Sequence, residues 1–194
     1  MKKALSHIIL CCFALCFSLG AHAALFTATL SGLQEVPPNV SPGSGFAILE
    51  VTGNILTINL DFSGLIGGGV TAGHIHCCSP AGVNSGVAVG FNSPFPFGST
   101  AGTYIDIFDL SDPSIYGGTF LSASGGTSAG AAATLVNAFN SATAYVNLHN
   151  AVFPGGEIRG QISAVPEPLT LILITLGLAG IAATRSKQLN LNPA

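Results

Sequence analysis

A chain of 194 residues that is 48% hydrophobic and only 7% charged, with five basic and eight acidic side chains, lacks the positive surface that a polyanion requires. Residues 24–164 carry Arg159 alone against Glu35, Glu50, Asp61, Asp106, Asp109, Asp112 and Glu157, which sets nucleic acid aside as a partner. The length between the two apolar ends suits one domain with a proper core.

The chain opens on Lys2 and Lys3, runs through uncharged apolar sequence from Ala4 to Leu19, and reaches Ala21, His22 and Ala23. That order is a secretion signal, and the small residues Ala21 and Ala23 set the expected cleavage after Ala23. Residues 1–23 are therefore read as a signal peptide and residues 24–164 as the mature domain. Cys11, Cys12 and Cys16 leave with the signal, so only Cys77 and Cys78 remain. Adjacent cysteines cannot staple distant strands; a vicinal bridge, a bridge between molecules and a pair of thiolate ligands all stay open.

From Leu25 onward the pattern is mostly period two, broken by Gly, Asn, Ser and Pro clusters, which predicts an all-β fold built as an antiparallel β-sandwich. Strands are expected at Leu25 to Leu30, Gly45 to Val51, Asn54 to Phe62, Thr71 to His76, Gly86 to Phe91, Gly117 to Leu121, Ala144 to His149 and Glu157 to Ser163. In the third of these, Leu56, Ile58, Leu60 and Phe62 face the core, and Thr52-Gly53 turns the hairpin. One short helix interrupts the series: Thr127 or Ser128 caps a segment with Ala132, Leu135, Val136 and Phe139 on one face. Residues 92–102, with Pro94, Pro96, Gly98 and Gly102, read as an irregular loop.

Two passages carry the chemistry. On a strand, His74 and His76 project from one face about 6.6 Å apart while Ile75 points the other way, a spacing one metal ion can bridge. Tyr145, Asn147 and His149 share a face of a later strand, and Glu157, Arg159 and Gln161 share one of the next, so the two polar faces are expected to meet across a hairpin. A divalent zinc or copper site would use His74, His76 and His149, completed by Glu157, Glu35 or a cysteine thiolate. The other reading is a structural polar network of Glu35, Asn147, Glu157, Arg159 and Gln161. A buried arginine without a carboxylate is costly, so under either reading Arg159 is expected to pair with Glu35 or Glu157.

The stretches Leu30-Ser31-Gly32-Leu33-Gln34-Glu35-Val36-Pro37-Pro38, Gly73-His74-Ile75-His76, Tyr145-Val146-Asn147-Leu148-His149 and Gly156-Glu157-Ile158-Arg159-Gly160-Gln161 together resemble the CHRD domain family, a module found in many exported bacterial proteins. The resemblance covers Leu25 to about Ser163. It implies a β-sandwich of the immunoglobulin or superoxide-dismutase kind, with no general catalytic activity. The chain departs from the family pattern at Cys77-Cys78, where Gly-Pro is commoner.

Behind the domain, Val165, Pro166, Glu167 and Pro168 form an extended segment in which two prolines block helix and sheet. An uncharged run from Leu169 to Ala183 follows, read as a transmembrane helix at about residues 169–184, with Arg185 and Lys187 on the cytoplasmic side. As a helix the run spans about 22 Å against a hydrocarbon core of about 30 Å, so it is a weak anchor. The order Pro-Glu-Pro, hydrophobic helix, basic end resembles the PEP-CTERM sorting tails, which implies an exosortase-like processing enzyme besides signal peptidase. Residues 188–194 extend past the point where such tails usually stop.

These readings describe an exported protein, anchored facing the periplasm and then displayed at the cell surface or released to the extracellular matrix of a biofilm. Its first expected role is non-catalytic: binding an extracellular protein or polysaccharide, adhesion, or a structural part in that matrix. The alternative is a small zinc- or copper-binding protein or metalloenzyme. No nucleophile elbow, phosphate loop, dinucleotide fingerprint or paired-cysteine zinc motif is present.

Overall fold

The alternation of small and apolar with polar residues produces, in the computed structural model, three long strands whose inward residues are almost fully buried. The structure describes residues 23–92, 94–166, 177, 178, 180 and 181. Strand β1 (Ala24–Ser31) lies against β2 (Ser44–Thr52), and β2 against β3 (Ile55–Ser63), all antiparallel. Leu56, Ile58 and Leu60 are fully buried and Phe62 nearly so, as the pattern predicts. The hairpin turn falls one residue later than expected, on Gly53-Asn54, where Thr52 pairs with Ile55 and Gly53 takes φ +59°.

The remaining strands are β4 (Val70–Cys77), β5 (Gly86–Gly90), β6 (Gly102–Asp109), β7 (Ala144–Asn150), β8 (Ile158–Gln161) and β9 (Ser163–Ala164). They extend the same sheet in the order β5-β4-β7-β8-β1-β2-β3-β6, with β9 also on β1. The expected two-sheet sandwich is therefore corrected: one nine-stranded antiparallel sheet curls into a half-barrel around a single core. Alternation tells which face of a strand is buried, and a curled sheet and a sandwich bury the same face. The seam that joins the halves is β8 on β1, where Ser31 pairs with Arg159. A Cβ on Gly160 would stand 2.7 Å from the Thr29 carbonyl oxygen, so only glycine lets these strands approach there.

Two further expectations change. Gly117 to Leu121 is not a strand; Tyr116 makes a single bridge to Val89, and the chain then turns into a short helix, α1 (Gly118–Ala123). Five residues with two glycines carry too little periodicity to separate helix from strand. Strand β6 does not appear among the expected elements, because its outward Ile105 and Ile107 are exposed while Tyr104 and Phe108 turn inward, which disguises the buried face.

The predicted helix is present as α2 (Ser128–Asn140), capped by the Thr127 hydroxyl, which accepts from the Gly130 N–H at 3.1 Å. It buries Ala131, Leu135, Ala138 and Phe139, a face turned slightly from the expected one, with Ala132 and Val136 at its margin. Phe139 meets Phe26 of β1 edge-to-face at 5.3 Å, so the helix plugs the concave side of the sheet. Phe91, Phe95 and Tyr104 form a second aromatic group in which the neighbouring centroids lie 4.8 to 5.5 Å apart.

The chain divides into two units, residues 1–164 and 165–194. In the second, Val165 and Pro166 are exposed coil, and 177, 178, 180 and 181 are helical. Ala21, Glu167, Pro168 and nearly all of the expected membrane span at 169–184 lie outside the described residues; among those described, no helix is long and apolar enough to cross a membrane.

Phe139→Ala removes the contact that docks α2 and is expected to lower the free energy of unfolding in urea by about 3–5 kcal/mol. An unchanged midpoint would show that the helix does not hold the core closed.

Candidate functional site

Strand alternation puts Gly73, Ile75 and Cys77 toward the core and leaves His74 and His76 on the opposite face of β4. On the adjacent β7, Ala72 pairs with His149, His74 with Asn147 and His76 with Tyr145. The β4 register slips at both ends of this patch: Thr71 is an extra residue opposite β7, and Ala88 is one opposite His76 on β5. Such bulges re-aim side chains, and here they accompany the convergence of three imidazoles.

The ring centroids of His74 and His149 lie 5.0 Å apart, those of His74 and His76 5.4 Å, and those of His76 and His149 5.8 Å. One nitrogen from each ring lies within 4.8 Å of those of the others. His76 Nδ1 sits 2.9 Å from the Ser85 carbonyl oxygen, and His149 Nδ1 sits 3.1 Å from that of Pro154. A carbonyl only accepts, so both Nδ1 atoms carry the proton and both Nε2 atoms present lone pairs. His74 Nδ1 stands 3.2 Å from His149 Nε2. His76 Nε2 is buried and has no hydrogen-bond partner among the described residues.

Burial holds His74 down to about 4, with the nearby His149 and His76 adding to the effect. Burial likewise lowers His76 and His149. All three rings are therefore neutral at neutral pH, the form in which imidazole binds a metal. Two of them already have the Nδ1–H anchored to a backbone carbonyl, the arrangement that fixes ligand orientation around metal ions.

Behind His76 stands a stack that the sequence alone does not disclose. The Tyr145 ring stacks on His76, with the planes 2° from parallel and the centroids 4.8 Å apart, and the Arg159 guanidinium carbon lies 3.4 Å from the Tyr145 centroid. The expected ion pair is corrected: Arg159, 1% exposed, donates to Asn84 Oδ1 at 3.1 Å and to the Val83 carbonyl at 2.9 Å, and among the described residues it forms no salt bridge. A guanidinium weakly held by water accepts an aromatic face and loop carbonyls in place of a carboxylate. The Tyr145 hydroxyl accepts from the Ser85 N–H at 3.0 Å, so ring and hydroxyl both steady the partner of His76.

The expected companions take separate places. Asn147 donates to Glu35 at 2.5 Å and to the Ile158 carbonyl at 3.0 Å. Burial raises Glu35 to about 7, against the opposing pull of Asn147 and of the Arg159 charge. Gly156, at φ +134°, leaves the space in which this carboxyl lies, since a Cβ there would come within 2.6 Å of it. Glu157, fully buried, ties loops together by accepting from Ser41 Oγ at 2.6 Å, from the Ile66 N–H at 2.9 Å and from Asn150. Gln161 donates to the Ala142 carbonyl at 2.8 Å. Neither Glu35 nor Glu157 joins the histidine cluster, and Cys77 and Cys78 are joined in a vicinal disulfide. Beside the stack, a cleft of about 340 Å³ runs between the Leu33–Pro38 segment and Ala81-Gly82, with Glu35 and Arg159 in its lining.

Tyr145 shares its motif with His149 and was legible as a neighbour, though its stacking was not. Ser85, Pro154 and Val83 act through backbone carbonyls, which leave no mark on a sequence. Compared with known families, residues 26–162 match the model of the CHRD domain. No curated protein and no solved structure matches the chain.

Because the three imidazoles titrate below their unfolded value of about 6.5, the unfolded chain binds more protons between about 4 and 6.5, and stability must fall as pH drops through that window. Glu35 acts oppositely, since its raised value removes stability as pH rises toward 7. Urea midpoints of chelator-treated protein are expected to fall from pH 6.5 to 4.5, less steeply in His74→Ala and more steeply in Glu35→Gln. Parallel profiles for all three proteins would mean that the imidazoles are not held neutral by the fold.

Proposed function

The chain belongs to the CHRD domain family, and from that premise we propose that it is an exported module that binds a transition-metal ion through His74, His76 and His149. The observation that carries this reading is His76 Nε2, a buried lone pair with no donor among the described residues, in a ring locked by Tyr145 and the Ser85 carbonyl. An unmet polar atom in a buried site costs free energy, and a metal ion shared with the two neighbouring imidazoles is the partner that fits its chemistry. His149 offers Nε2 directly; His74 offers Nδ1 once its proton sits on Nε2.

Protein purified without chelator, or stripped and then reloaded with zinc or copper, is expected to hold one ion per chain by elemental analysis. His76→Ala is expected to weaken that binding by at least about 100-fold, more than the loss of an outer-shell partner. Less than about a tenth of an equivalent after reloading with either metal would overturn the reading.

Export carries the second part of the proposal. CHRD modules are extracellular or secreted, which agrees with the apolar leader and with the disulfide of Cys77 and Cys78, a bond that persists in oxidising compartments. The sequence at residues 165–187 supports processing by an exosortase-like enzyme and transient anchoring by the segment about 169–184. Mass spectrometry of the protein recovered from its host is expected to find an N-terminus at Ala24 and no peptide beyond the Val165-Pro166-Glu167-Pro168 segment. An intact C-terminal peptide on the mature protein would refute the sorting step.

A further inference from the structure

We infer that the ion this site selects is copper in its monovalent state, held by the three imidazoles alone, in preference to zinc. The inference rests on the metal-binding reading above and names the ion.

The donor set is the first reason. Among the described residues the cluster contains three histidines and no carboxylate, and the two cysteines are tied to each other, so no anionic ligand offsets the charge of the ion. Zinc in protein sites takes four ligands, commonly including thiolate or carboxylate, and three histidines oblige it to recruit a water molecule as the fourth. Monovalent copper carries a single charge, accepts imidazole ligands, and is satisfied by three donors with no fourth ligand and no anion.

The second reason is the charge behind the site. Arg159 stands 3.4 Å over the Tyr145 ring, and His76 lies 4.8 Å beyond on the other face, so a buried cation is stacked on the same column as the ligand. Repulsion between this guanidinium and a bound ion scales with the charge of the ion, so it is twice as large for a divalent as for a monovalent cation. Glu35, the carboxyl of the same network, accepts from Asn147 and stands outside the histidine cluster, so it supplies no charge in direct contact with the ion. The Tyr145 ring itself, sandwiched between the two, keeps water from screening them.

Oxidation does not hand the site to zinc. For nitrogen donors, divalent copper also outranks zinc in affinity. The half-buried His74 and His149 leave one flank of the cluster within reach of solvent, through which copper can enter.

The test is a pair of titrations on chelator-stripped mature protein. Cuprous ion is supplied without oxygen, with ascorbate and a chromogenic cuprous chelator as competitor; zinc is titrated against a zinc indicator. One cuprous ion per chain is expected, bound at least about 100-fold more tightly than zinc, given the lower charge of the ion and the absence of an anionic donor. Copper-edge X-ray absorption is expected to show three nitrogen neighbours and no sulfur. The Cys77→Ser, Cys78→Ser double variant is expected to keep this affinity, whereas His149→Ala loses it. Zinc binding with cuprous ion excluded, or sulfur in the copper shell, or copper binding that disappears with the cysteines, overturns this inference and leaves the metal site standing. Failure to bind either ion overturns both.

Discussion

The column of Arg159, Tyr145 and His76 is the constraint around which the polar face of the sheet is arranged. One strand supplies each member, β8, β7 and β4, and their pairing in neighbouring registers stacks guanidinium, phenol and imidazole in line. A fully buried cation must be fed with acceptors, and the loop before β5 provides them from Val83 and Asn84 while the Ser85 carbonyl accepts from His76 Nδ1–H. The curl of the sheet makes this possible, because it turns the apolar face inward upon itself and leaves the opposite face of β4, β7 and β8 to be roofed by loops.

That roof is closed by polar clamps that do not touch the ring cluster themselves. Asn39 donates to the Gly156 and Glu157 carbonyls at 3.2 and 3.0 Å, and the Glu157 carboxylate gathers Ser41, Ile66 and Asn150. Loops that would otherwise cover a polar face loosely are thereby fixed, and with them Pro154, whose carbonyl sets the tautomer of His149. The polar network and the three imidazoles occupy successive layers of the same motifs: the network positions, and the imidazoles are what it positions.

Much of this was legible in the residues. His74 and His76 had to share a face once β4 was a strand, and the hairpin of β7 and β8 had to bring His149 and Arg159 near Asn147. The strand pairing of β4 with β7, across more than seventy intervening positions, is what adds His149 to the first two, and no local pattern specifies it. Arg159 was expected to seek a carboxylate because charge dominates a sequence reading; an aromatic face and two loop acceptors satisfied it instead. The sheet architecture depended on the β8–β1 seam, whose signature is a single glycine at 160. Strand β6 escaped notice because its isoleucines point outward and its aromatic residues inward.

The segment from Ser79 to Ser85 borders both the histidine cluster and the cleft, since Ser85 orients His76 while Ala81 and Gly82 form part of the cleft wall. A ligand in the cleft and an ion at the imidazoles would therefore press on the same short segment of chain. Should binding at one place shift that segment, the coupling is reciprocal: the effect of a cleft ligand on the grip of an ion would equal that of the ion on the grip of the ligand.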